Sequence, residues 1–326
     1  MRSSLRERAR NDAPGFRAGL CGLILAWALL AGPCAAEPVA LTFDDLPTLS
    51  LTESPDYART TTRRLVEGLR RRRLPAVGMV VGEKLEDHPH DRDALLRLWT
   101  RAGLELGNHT WSHDSLNKTS ADVYIADIAR DDALLRSLRR FPWDHPRWFR
   151  HPYLETGSTA QARAAVDHWL ARHGYRQAPV TLENADDVFA LPYDQAVLAG
   201  DHARAARIKA EYLAHTDRCI VWYRAAALQL LGRRPALVFL LHASRLNADS
   251  VDALTVLLRR HALTPVSLKA ALRDPAYRLP DGPPDADGDD WLERWADGVL
   301  HRPLPWDSFP EPPADIAAQS KALDDD

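Results

Sequence analysis

Short apolar runs separated by helical patterns recur from Pro38 to Leu272, and no other feature limits the fold as strongly. The runs are "PVALTFDD", "LPAVGMVVG", "LELGNHT", "RWFRHPY", "APVTLEN", "PALVFLLHA" and "LTPVSLKAAL", the last ending as a short helix. Helical patterns cover 57–73, 91–103, 120–138 behind a Ser120 cap, nearly all of 191–231, and 249–261. A parallel neighbour strand needs a crossover connection, so this alternation predicts a parallel α/β architecture, most simply a (β/α) barrel. The Pro-, Asp- and Gly-rich stretch from Leu279 reads as a C-terminal extension, 279–326, that wraps the domain, with Trp291 and Trp295 as staples and a frayed end. The run Arg70 to Arg73 reads as a solvated helix terminus that suits the macrodipole rather than as a polyanion patch.

Residues 1–36 differ from the rest. Five Arg precede the apolar run "AGLCGLILAWALLAG", and small residues follow it. That order predicts a cleavable export signal ending at Ala36, because the run falls short of the ~20 residues of a spanning helix. The mature chain is then expected in the periplasm or outside the cell, with no membrane span. Cys21 and Cys34 leave with the signal, so Cys219 remains alone and no internal disulfide forms. The net charge of −3 carries no nucleic-acid footprint. No obligate protein partner is evident.

In parallel α/β barrels the chemistry sits at the carboxyl ends of the strands. The polar residues there are Asp44 and Asp45, His109 and His113, Arg150 and Tyr153, Asp186 and His242. "HTWSH" sets His109 and His113 four apart, which on a helical turn puts both rings on one face. Two His and a carboxylate form a catalytic zinc-type donor set with positions left open, and Asp45 is the natural third ligand. Strand neighbours point to opposite faces, but a turn at the strand end, just before Pro47, lets both Asp side chains reach one pocket. Asp45 then holds the cation, and Asp44 stays free to accept a proton from the water that the cation activates.

Five motifs in order over residues 38–272 resemble those of the polysaccharide deacetylases, carbohydrate esterase family 4. They are "TFDD", "HTWSH", "RHPY", "ENADD" and "LLH". The resemblance implies a distorted (β/α)7 barrel, here with a helical insertion, and hydrolysis of N- or O-acetyl groups on sugars. It implies Asp44 as general base, and Asp45, His109 and His113 as ligands of a divalent metal ion, zinc or cobalt. It also implies that Arg150 orients Asp44, that the Tyr153 backbone N–H helps form an oxyanion hole, and that His242 is a general acid tuned by Asp186. The fourth motif departs from the pattern: Glu183 replaces the first Asp, and Asp187 stands where the family has a Trp that walls the acetyl pocket.

The domain expected over 37–278 is thus a metal-dependent hydrolase acting on an acetylated extracytoplasmic carbohydrate. The alternatives are a deacetylase of a non-polysaccharide amide or ester and a catalytically silent carbohydrate-binding protein. Trp111, Trp143, Trp148 and Tyr153 lie near strand ends where rings can stack on sugars, with Trp111 equally suited to the core.

Overall fold

A computed structural model describes residues 36–138 and 147–324. The segment expected to be an export signal (all but Ala36) and Trp143 therefore lie outside the described residues. The elements run β1 (Glu37–Leu49), α1 (Pro55–Arg72), β2 (Ala76–Val80), α2 (Pro89–Arg101), β3 (Glu105–Asn108), α3 (Ala121–Leu138), β4 (Arg147–Phe149), α4 (Ala160–Arg172) and β5 (Tyr175–Gln177). There follow α5 (Asp186–Leu198), α6 (His202–Leu231), β6 (Leu237–Ser244), α7 (Arg245–Arg260), β7 (Leu263–Val266), α8 (Leu268–Ala271), α9 (Trp291–Trp295) and α10 (Ala314–Asp324).

Every strand pairing is parallel, as the alternation predicts. The ladder runs β5-β4-β3-β2-β1-β6, and β7 pairs with the first half of β1. Among the described residues, the ladder between β5 and β6 stays open except for one bridge, Leu182 to Phe239. The strand expected over 178–184 is reduced to that bridge. Pro179 has no N–H to donate, and β5 forms earlier, at Tyr175–Gln177. The apolar residues of β1, β2 and β6 pack with Leu65, Leu69, Trp99 and Val251 from the surrounding helices. That core fixes where the strand ends lie.

The helical stretch 191–231 is two helices. Gly200 takes φ 71 between them, and the Asp201 side chain accepts the N–H of Arg204 to cap α6. Ser120 caps α3 as expected, accepting from the N–H of Val123. Arg71 and Arg72 both pair with Asp252 of α7, which gives the basic run a surface structural role. The expectation for the chain end needs correcting. Rather than fraying, it forms α10, which packs on α5 and buries Ile316 beside Phe189 and Tyr193. No helix among the described residues is long and apolar enough to cross a membrane.

Trp291 and Trp295 do staple the extension: both are buried in the main core. Trp295 is fully enclosed and stacks edge-on against Tyr277. Trp295→Ala is expected to lower stability by about 3–5 kcal/mol, the usual result of emptying so large a site. Urea unfolding of the full chain followed by circular dichroism measures it; a loss under about 1 kcal/mol would show that the extension is only loosely attached.

Candidate active site

Asp44 and Asp45 reach the same pocket through a break in β1. The register to β2 shifts between Phe43 and Leu46, and Asp45 takes φ 65. Pairing with β6 resumes beyond them, at Leu49, so the strand does not end at the carboxylates but kinks there. A non-glycine residue at positive φ costs conformational energy, and it recurs here at Thr110 (φ 66), His113 (φ 60) and Tyr153 (φ 56). At Asp45 and His113 it turns a side chain into the one pocket, while Thr110 shapes the loop that carries His113.

His109 and His113 come together, but not on a helical turn. The segment after β3 is an irregular loop. Asp127 of α3 holds it by accepting the backbone N–H of Trp111 (2.8 Å) and Ser112 (2.9 Å). Asn108 accepts from Thr110, and the Thr110 hydroxyl accepts from the N–H of His113. These bonds replace helical ones and still turn both rings inward, 4.9 Å apart.

Three donor atoms converge. His113 Nε2 lies 3.4 Å and His109 Nε2 3.8 Å from Asp45 Oδ1. That Asp45 oxygen is buried and has no hydrogen-bond partner. Such an orphan is costly unless something binds it. His109 Nδ1 is 2.9 Å from the Arg150 carbonyl, which can only accept, so Nδ1 carries the proton and Nε2 faces the pocket with its lone pair. Burial pushes His113 down to about 4 despite Asp45, so its ring is neutral at pH 7. Burial alone would raise Asp45, but Lys84, His113, His242 and His109 outweigh it and hold the carboxyl well below the usual range. A neutral His113, a His109 whose Nε2 faces the pocket and an ionised Asp45 fit a divalent cation.

Asp44 is differently held. Its Oδ1 accepts from Arg150 at 2.7 Å, while Oδ2 points toward His109 Nε2 at 3.6 Å. Arg150 is 2% exposed, and its other N–H groups reach Thr42, Ala178 and Pro179. Beside Asp44, as its register partner on β6, stands His242. Asp186 meets His242 twice, with Oδ2 on the backbone N–H (2.7 Å) and Oδ1 on Nδ1 (2.9 Å). Burial alone would lower His242, but Asp186, helped by Asp187 and Asp45, holds it up at about 10. Asp186, Asp187 and His242 offer a second set of donor atoms, all within 4.8 Å of one another, but the bond between His242 and Asp186 already engages two of them.

Tyr153 is 57% exposed, with its ring edge-on to His113 at 4.7 Å. The C-terminal extension supports this turn from behind. A Cβ on Gly288, which sits at φ 83, would come within 2.3 Å of the Tyr153 carbonyl oxygen. Trp148 and Trp111 do not serve the cleft. Trp148 is buried and donates to Glu105, and Trp111 is buried under the Arg130 guanidinium.

Lys84 is not among the residues that the strand-end reading selects, yet its Nζ lies 3.3 Å from Asp45 Oδ2. It follows β2 by four residues, so a wider window beyond each strand end would have found it. Tyr212 and Asn247, which stand behind Asp186, carry no sequence signal, because only the tertiary fold brings α6 and α7 to that point.

Comparison with known proteins agrees with the motifs. Residues 31–177 match the family described as polysaccharide deacetylase. The match contains the first three motifs and stops short of Glu183, Asp186 and His242. A peptidoglycan-N-acetylglucosamine deacetylase of Bacillus cereus is 30% identical over 125 residues, 38% of this chain and 39% of that protein. A peptidoglycan-N-acetylmuramic acid deacetylase of Bacillus subtilis is 27% identical over 115 residues, 35% of this chain and 21% of that protein. The chain thus spans well under half the length of these curated relatives. Among solved structures, a mutant with restored enzymatic activity of a CE4 family pseudoenzyme superposes with a TM-score of 0.50 at 15% identity, over 73% of this chain and 68% of that one. That likeness is one of fold.

The donor set predicts one bound divalent ion per chain, lost in His113→Ala and kept in Asp44→Asn. Metal analysis of the purified proteins checks this, and equal metal in wild type and His113→Ala would exclude the assignment.

Proposed function

From its kinship with the polysaccharide deacetylases, we propose that this protein is a hydrolase that removes acetyl groups, foremost N-acetyl, from an extracytoplasmic carbohydrate. The observation that supports it most is one juxtaposition. A buried Asp44 with one oxygen engaged by Arg150 and the other free stands within 3.6 Å of a ring of the Asp45, His109 and His113 donor set. Asp45, His109 and His113 would hold a divalent cation, zinc in this proposal. Bound there, such an ion supplies Lewis acidity and lowers the pKa of water.

The chain's own groups divide the rest of the work. Arg150 holds Asp44 by Oδ1 and leaves Oδ2 turned into the pocket, where it accepts the proton of the attacking water. The Tyr153 backbone N–H, presented by its φ 56 turn, donates to the oxygen that gains charge as the acetyl carbon becomes tetrahedral. His242 carries a proton on each ring nitrogen, Nδ1–H toward Asp186 and Nε2–H toward the cleft. It gives the Nε2 proton to the leaving nitrogen of the sugar. The relatives named as peptidoglycan deacetylases make an N-acetylated aminosugar polymer the first substrate class to try. Export through the residue 1–36 signal would bring the enzyme to such a polymer.

Acetate release from N-acetylglucosamine oligomers, peptidoglycan fragments and acetylxylan, each with and without a chelator, tests this function. Acetate from none of them, with metal-loaded protein, would overturn it. Asp44→Asn is expected to keep its metal and lose about 10² to 10⁴ in rate, the span of a positioned general base.

The pH profile tests the acid. His242 must be protonated to donate, so activity should fall on the alkaline side as pH rises through about 10. Removing the Asp186 charge takes away the main group that raises His242. In Asp186→Asn the alkaline limb should therefore move to lower pH, with metal content unchanged. An alkaline limb in the same place would assign it to another group.

A further inference from the structure

The long helix α6 is not needed to complete the sheet, yet it sends one buried side chain to the back of the Asp186–His242 pair. Tyr212 donates its hydroxyl proton to Asn247 Oδ1 at 2.7 Å. Asn247, in the first turn of α7, donates from Nδ2 to Asp186 Oδ2 and to the His242 carbonyl oxygen, the latter at 2.9 Å. Behind Tyr212, Asn184 donates to the tyrosine oxygen (3.2 Å) and to Thr216 Oγ1 (2.9 Å). Thr216 spends its own proton on the Tyr212 carbonyl at 2.8 Å. Tyr212, Thr216, Asp186 and Asn247 are fully buried, and Asn184 is nearly so.

The direction of every bond in this chain is forced. The Tyr212 carbonyl can only accept, so the Thr216 hydroxyl points to it. Thr216 Oγ1 is then left to accept from the Asn184 amide. The second N–H of that amide meets the Tyr212 oxygen, so the Tyr212 proton must go to Asn247. The Asn247 amide cannot flip, because its oxygen would then face a carboxylate oxygen and a carbonyl oxygen at once. Donation therefore runs one way, from α6 to the carboxylate. Asp186 Oδ2 receives two N–H groups, from Asn247 and from the His242 backbone, and this leaves Oδ1 turned to His242 Nδ1.

We propose that Tyr212 and Asn247 are positioning residues for the proposed deacetylation: they lock the Asp186 carboxylate bidentate on His242, and so hold the acid's ring with Nδ1–H inward and Nε2 toward the cleft. The inference rests on the function proposed above for that site. It gives α6 a task beyond walling the cleft, because the helix reaches the reacting groups through hydrogen bonds alone. Hydrogen-bond partners behind metal-ligating histidines are worth about 10- to 100-fold where they have been removed, and a histidine held to donate a proton needs its ring fixed in the same way.

Two substrates separate positioning from general loosening. A sugar amine is a poor leaving group and needs a proton from His242. The nitrophenolate of p-nitrophenyl acetate leaves without one. Tyr212→Phe keeps the ring and removes only the hydroxyl. In the metal-loaded full chain it should lower kcat on an N-acetylglucosamine oligomer about 10- to 100-fold, with KM and metal content unchanged, and leave the p-nitrophenyl acetate rate as in wild type. Asn247→Ala should do the same more strongly. Proton–nitrogen spectra of histidine-labelled protein give a reading that needs no turnover: the Nδ1–H signal of His242, assigned by its loss in His242→Gln, should shift or broaden in Tyr212→Phe. Equal losses on both substrates, an unchanged amide rate, or an unaltered His242 signal would each overturn the proposal. Wild-type protein that releases acetate from no N-acetylated sugar would overturn the function instead, and the spectra would still decide the positioning.

Discussion

The Arg150–Asp44 pair is the contact on which the site depends. It joins the end of β4 to β1 across the barrel interior, with both partners buried and 2.7 Å apart. A buried ion pair survives only if the rest of each group is satisfied. Arg150 meets that condition through Thr42 and the carbonyls of Ala178 and Pro179, so one guanidinium gathers β1, β4 and the segment after β5. Its own carbonyl oxygen fixes the tautomer of His109. The residue that holds the proposed base therefore also sets the lone pair of a proposed metal ligand, and the two cannot drift apart independently.

That contact also shows what is legible in advance. Every residue of the pocket that follows directly on a strand is visible in the sequence, because strand ends of a parallel sheet share one edge. The apolar runs announce the strands, and the next polar residue is then at the edge by construction. His109 and Arg150 are found that way, and Asp44, Asp45 and His242 stand where an apolar run gives way to polar residues inside a longer strand. The lengths of the elements are less visible. Pro179 cuts short a strand that its apolar neighbours advertise, and Gly200 with Asp201 breaks a helix whose composition favours continuity.

Local conformation is the larger gap. "HTWSH" has helical spacing, but four backbone and hydroxyl bonds to Asp127, Asn108 and Thr110 outweigh helical pairing. The rings converge all the same, because two positive-φ residues do what a helical turn would have done. Tyr212 and Asn247 lie beyond sequence reasoning for a different reason. Their importance comes from the partner each meets, and those partners are 35 and 61 residues away along the chain.

The two adjacent carboxylates can now be understood as different groups. Like charges side by side are tolerated when each has its own counter-charge and its own geometry. Asp44 stays on the ladder opposite His242 and is bound by a guanidinium that Thr42 and the carbonyls of Ala178 and Pro179 hold in place. Asp45 leaves the ladder at φ 65, meets Lys84 through one oxygen, and keeps the other unpartnered between two imidazoles. A third carboxylate, Asp186, is given over to His242. Each carboxylate is thus matched with its own cation: Asp44, proposed to accept a proton, with an arginine that cannot release one, Asp45 with Lys84, and Asp186 with His242, the group proposed to donate. Arginine at the third place could not serve as an acid, and histidine at the first would compete with Asp44 for the proton. The choice of cation beside each carboxylate, more than the carboxylates themselves, separates the roles.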